Sequence, residues 1–131
     1  MKTNYSYSAI KPDTIQSIGT PEKPLYQINF DTEEIQVSVD DESSSSGKSL
    51  STQYRSIYVQ VSALDYDTLV SAIIKSRYST SDTEAIILNN IEALDATSEI
   101  TDEKRSEYMA EYKALQDWRA HAKNIAGGII V

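Results

Sequence analysis

Three sets of residues have types and spacing that could do chemistry. The stretch VDDESSSSGKSLST, residues 39–52, ends in Gly47-Lys48-Ser49, the tail of a phosphate-binding loop. Such a loop needs a glycine five residues earlier and a helix behind it, so that backbone N–H groups face the phosphates. Glu42 stands where that glycine should be, beside Asp40 and Asp41, and like charge repels phosphate. The residues that follow, TQYRSIYVQV, alternate in polarity and are rich in β-branched and aromatic types, which predicts a strand rather than a helix. The segment 40–52 therefore reads as a Ser-rich hairpin connection. The second set is His121, the only histidine, with Asp117 one helical turn before it. Two ligands on one helix do not hold a metal without a third. The third set, Glu103, Glu107 and Glu111, repeats every four residues and reads as a solvated helix face with Lys104 and Arg105 beside it. Nothing places paired carboxylates across a cleft, as glycoside hydrolysis requires. No catalytic residue, cofactor or metal is expected, and the chain reads as a non-enzyme.

Composition narrows the partners. Twenty acidic against twelve basic residues give a net charge of −8, spread along the chain with eight acids and five bases in residues 1–64. No basic cluster offers the face that would displace counterions from a phosphate backbone, so no nucleic acid is expected. No apolar run has the length to span a bilayer, so no membrane is expected either. The N-terminus MKTNYSYSAIKPD has no apolar signal core, and the chain lacks cysteine, which fits synthesis in a reducing cytoplasm. Nine tyrosines stand against one Phe and one Trp. Tyrosine joins an apolar body to a wet tip and so suits half-buried positions and protein contacts.

Periodicity predicts an α+β fold: a three-stranded antiparallel meander followed by three helices, the last one long. Residues 1–24 show no period, carry all three prolines, and keep Tyr5, Tyr7, Ile10, Ile15 and Ile18. They read as an extended arm laid on a neighbouring subunit or back on its own domain. Residues 25–131 then form one domain, with the meander over 25–61 and the helical part over 62–126. LYQINF, EIQVSV and SIYVQV each alternate, with Asp31–Glu34 as a hairpin-length connection between the first two. Ser62 or Asp65 caps the first helix. Ser81 and Glu84 form a capping box for the second, whose apolar side is Ile87, Leu88, Ile91 and Leu94. Thr101 caps the third and Gly127-Gly128 stops it. Its seam runs Tyr108, Tyr112, Leu115, Trp118, Ala122, Ile125, a bundle spacing with Trp118 as core or interface anchor. The apolar tail 127–131, with Ile129 and Ile130, docks on this subunit or the next.

The helical half resembles a known group. YDTLVSAIIKSRYSTSDTEAIILNN from Tyr66, then EYMAEYKALQDWRAHAKNIA, carry Tyr66, Leu69, Val70, Ile73, Ile74, Tyr78, Glu84, Ala85, Ile86 and Asn89, then Tyr112, Gln116, Trp118, Arg119 and Ala122. On these residues it is similar to the C-terminal half of small virion-associated proteins of phages and prophages of gut Bacteroides-type bacteria, crAss-like phages included. The resemblance implies a structural or adaptor protein of a tailed-phage virion, attached to head or tail. Its partners would be other virion proteins and itself as a homo-oligomer, with no small-molecule substrate. Interface candidates are Tyr5, Tyr7, Ile10, Ile15, Ile18, Tyr108, Tyr112, Leu115, Trp118, Ile125, Ile129 and Ile130. The acidic, Tyr-rich character supports a different expectation, a soluble phage- or prophage-encoded regulator or inhibitor that binds a host protein through that surface.

Overall fold

The computed structural model describes residues 3–39 and 49–130, in which it shows four antiparallel strands and three helices. They fall into a sheet unit over 3–63 and a helical unit from Leu64 onward. That boundary differs from the single domain expected over 25–131, and it places the N-terminal arm inside the sheet unit. The Ser-rich connection expected over 40–52 lies largely outside the described residues, and its last four positions belong to a strand.

The strands are β1 (Tyr5–Ser8), β2 (Ile15–Ser17), β3 (Tyr26–Val39) and β4 (Ser49–Val61), in the order β1-β4-β3-β2. Four strands replace the expected three for two reasons. The arm supplies both edges, with Tyr5 opposite Ile57 and Ile15 opposite Ile28. The two strands expected on either side of Asp31–Glu34 are instead one 14-residue strand, and the predicted turn is a β-bulge between Phe30 and Glu33. Tyr26, Ile28 and Phe30 occupy even positions, whereas Ile35 and Val37 occupy odd ones. One extra residue puts both sets on the same face. Asp31 makes that step with φ at +49°, in the left-handed region that Asp and Asn tolerate best after glycine.

One sheet face is apolar, with Ile28, Phe30, Val59 and Val61 buried. The other is polar, and the link from β1 to β2 crosses it. Three inter-strand spacings separate the two edges, roughly 14 Å, a span that six residues cover easily. Asn29, itself buried, pins this strap. Its side-chain amide donates to the Asp13 carbonyl at 2.9 Å, and its Oδ1 accepts from Gln27 at 3.1 Å.

The helices are α1 (Tyr66–Arg77), α2 (Thr80–Leu94) and α3 (Asp102–Ile129). Asp65 caps α1 by accepting from the Thr68 N–H at 2.9 Å, and Thr101 caps α3 in the same way from Lys104 at 3.1 Å. The capping box of α2 is Ser79 with Asp82, not Ser81 with Glu84. Both pairs fit the pattern. The earlier start adds a further helical bond, from the Thr83 N–H to the Ser79 carbonyl at 3.0 Å. Gly127-Gly128 does not stop α3, because neither residue takes the left-handed backbone that ends a helix, and the last turn closes from Ile130 to Ala126 at 2.9 Å.

Both shorter helices pack on α3. Ile73 of α1 sits at Trp118, whose indole N–H donates to the Ile73 carbonyl at 3.1 Å. Near the other end Arg105 donates to the carbonyls of Ala93, Asp95 and Ser98 just where α2 ends. The two helices thus follow one another along α3, antiparallel to it. At 1.5 Å per residue α3 is about 42 Å long, close to the combined length of α1 and α2.

Candidate functional site

Where α1 passes into α2, the two helices and α3 enclose an open groove of about 540 Å³. Its apolar wall is Val70, Ile74, Ile87 and Leu115. Its polar side is a fixed chain along α3, in which Arg119 donates to Gln116 at 2.8 Å and Gln116 donates to the Tyr112 hydroxyl at 2.7 Å. Asp67 and Glu84 balance Lys75 and Arg119 around the rim, so the lining charge sums to zero. Among the described residues neither cation makes an ion pair.

Ile87 joins this groove to a larger surface. It begins a stripe on α2 that continues through Leu88, Ile91 and Leu94, which are 41, 64, 59 and 67% exposed. The residues α2 turns inward are Thr83, Ile86, Asn89, Asn90 and Ala93, of which Ala93 alone is fully buried. The apolar side that sequence periodicity gives this helix therefore faces outward. The stripe occupies the arc of α2 that also carries Glu84, so groove and stripe lie on one side of the unit.

The interface candidates divide by position. Leu115 and Trp118 are buried in the helical unit, with the Arg77 guanidinium 4.7 Å above the Trp118 ring and His121 tilted against its edge. Tyr108, Tyr112, Ile125, Ile129 and Ile130 are half-buried. In the sheet unit Tyr5, Tyr7, Ile10, Ile15 and Ile18 are exposed. Tyr5 lies 4.7 Å over the guanidinium of Arg55, which is also paired with Glu33 across the β3–β4 ladder. The arm residues and the helical residues belong to different units. Within the helical unit the groove gathers Tyr112 and Leu115.

The other chemical candidates stay dispersed. Asp117 is paired with Lys113 at 3.0 Å, and Lys104 reaches Glu107 at 3.4 Å, both on the surface of α3. Among the described residues no three His, Asp or Glu side chains are placed to hold a metal ion, and no helix is long and apolar enough to cross a membrane. A second hollow of about 330 Å³ lies under the strap, lined by polar groups such as Ser6, Gln16 and Gln27. The shifted carboxylates are structural. The Thr68 N–H holds Asp65 below its ordinary pKa, the Ser79 cap bonds do so for Asp82, and Thr97 does so for Asp95.

No family model, curated protein or solved structure matches the chain. The site must speak for itself.

Sequence reasoning named Ile87, Leu88, Ile91 and Leu94 as the apolar side of α2 without placing them as an outward-facing surface. The signal that could have done so is the inward face: Thr83, Ile86, Asn90 and Ala93 recur at spacings of 3, 4 and 3. That is a helix-packing seam built mostly from small and polar residues.

Proposed function

We propose that the chain is a non-enzymatic structural or adaptor protein of a tailed-bacteriophage particle that works through protein–protein contacts. The observation that carries this reading is the outward stripe of Ile87, Leu88, Ile91 and Leu94 on α2. Large aliphatic side chains ranked along one helix face lose stability in water and gain it against another protein. The sequence likeness of residues 66–122 to virion-associated phage proteins supplies the setting, and synthesis in the host cytoplasm followed by residence in the virion goes with it. Mass spectrometry of purified particles tests the reading. Recovery at a fixed stoichiometry supports it, and absence from particles that contain the other structural proteins overturns it.

A second reading rests on a separate observation. Tyr5 and Tyr7 of the sheet unit are 43 and 59% exposed on an acidic chain, a surface suited to binding a host protein as a regulator. A stoichiometric host partner in a pull-down, together with absence from particles, selects that reading.

A further inference from the structure

We infer that the groove and the α2 stripe together form a self-complementary surface, and that its occupant is the same surface of a second copy in a two-fold dimer. The inference rests on the reading of this chain as an assembly protein and names the partner of that surface. A two-fold contact requires one patch to carry both a projection and a recess that accepts it, because each copy must present both. The described residues place the two on one side of the helical unit. Leu88, Ile91 and Leu94 project, Val70, Ile74 and Leu115 line a recess of about 540 Å³, and Ile87 belongs to both.

Charge does not oppose a second copy at the groove. The chain carries −8, so two copies repel one another over most of their surface. At the groove that repulsion is absent, since Asp67 and Glu84 offset Lys75 and Arg119. A second copy related by a two-fold axis therefore meets a patch with no net charge there. Area agrees as well. The stripe exposes roughly 400 Å² of apolar surface, close to the apolar share, a little over half, of the roughly 800 Å² that each side of a standard interface buries.

The test is sedimentation equilibrium of the purified chain, comparing wild type with the double variant Leu88→Lys/Ile91→Lys and the milder Leu88→Ala/Leu94→Ala. All these side chains are mostly exposed, so circular dichroism should show unchanged helicity in both variants. The expected result is a wild-type dimer, a dissociation constant raised about a hundredfold or more in the lysine variant, and a smaller loss in the alanine variant. A wild-type monomer at about 100 μM overturns the inference. So does a dimer indifferent to both variants, or an open series of oligomers in place of a closed pair. If the lysine variant loses helicity, the alanine variant decides: weakened dimerisation supports the inference and unchanged dimerisation overturns it. None of these outcomes touches the virion reading, which depends on recovery from particles.

Discussion

Helices α1 and α2 lie on the same long helix, yet α1 buries its large aliphatic residues and α2 shows most of its own to solvent. Leu69 and Ile73 of α1 have no exposed surface, whereas Leu88, Ile91 and Leu94 of α2 are about two-thirds exposed. Both helices are amphipathic and both are capped by an acidic or hydroxyl side chain. The difference lies in what meets α3. Helix α1 offers Leu69 and Ile73 to Leu115 and Trp118, while α2 offers Ala93 and half-buried Thr83, Ile86 and Asn90. Amphipathicity reports that a helix has an apolar face. It does not report whether the same chain covers it.

The largest expected effect breaks this comparison most simply. Ile73→Ala should cost roughly 2–5 kcal/mol and Trp118→Ala roughly 3–5 kcal/mol, because each opens a cavity in a packed site. Leu88→Ala should stay within about 0.5 kcal/mol in dilute solution, as exposed substitutions do. Urea unfolding at low protein concentration measures all three. Equal losses at Ile73 and Leu88 would show that α2 packs as tightly as α1.

Two glycine substitutions of opposite sign carry the comparison to the sheet unit and to the end of α3. A Cβ on Gly19 would meet the Leu25 amide nitrogen and the Lys23 carbonyl oxygen at 2.4 Å, both backbone atoms in the turn before β3. Gly19→Ala should cost about 1–3 kcal/mol. A Cβ on Gly127 or Gly128 would meet nothing beyond its own helix within 4 Å among the described residues, and both are helical. Gly127→Ala should therefore stabilise the chain by roughly 0.5–1 kcal/mol through helix propensity. Thermal melts of both variants read the two signs.

How much of this was legible in the sequence depends on where the determining contacts lie. The α+β order and the Thr101 cap follow from local pattern and were readable, whereas the pattern left the first cap open between Ser62 and Asp65 and left Leu115 and Trp118 open between core and interface. The count of strands was not readable. The step from even to odd apolar positions between Phe30 and Ile35 fits a turn between two strands or a bulge within one. Only the partner strand decides, since Glu33 pairs with Arg55 on the same β4 that holds Phe30 opposite Ile57. Replacing Asp31 by valine should cost about 1–2 kcal/mol, because a β-branched residue resists the left-handed backbone there. The edge strands β1 and β2 are four and three residues long, too short to show a period. The groove escaped notice because it joins residues from three helices, and spacing within one helix cannot reveal it.

The smallest effects concern the caps that begin α1 and α2. Asp65 and Asp82 are held below their ordinary value of 3.8 by hydrogen bonds to the folded backbone and to Thr68 and Ser79. A carboxylate with a lowered folded pKa stabilises fully above its unfolded pKa, and that contribution fades as pH falls through the folded value. Helicity should thus decline in acid below about pH 4. Asp65→Asn keeps an acceptor for the Thr68 N–H, so it should flatten the part of the acid transition that belongs to α1. A circular-dichroism titration indistinguishable from wild type would assign that transition elsewhere.

The most direct test of the account is side-chain footprinting by hydroxyl radicals across a dilution series. In dilute solution Leu88, Ile91 and Leu94 should react readily while Leu69 and Ile73 stay silent, and on concentration the three α2 residues should become protected. Protection of Leu88, Ile91 and Leu94 at every dilution would place them in the chain's own core. Undiminished reactivity at every concentration would leave the stripe without a partner copy. Either result would contradict the account.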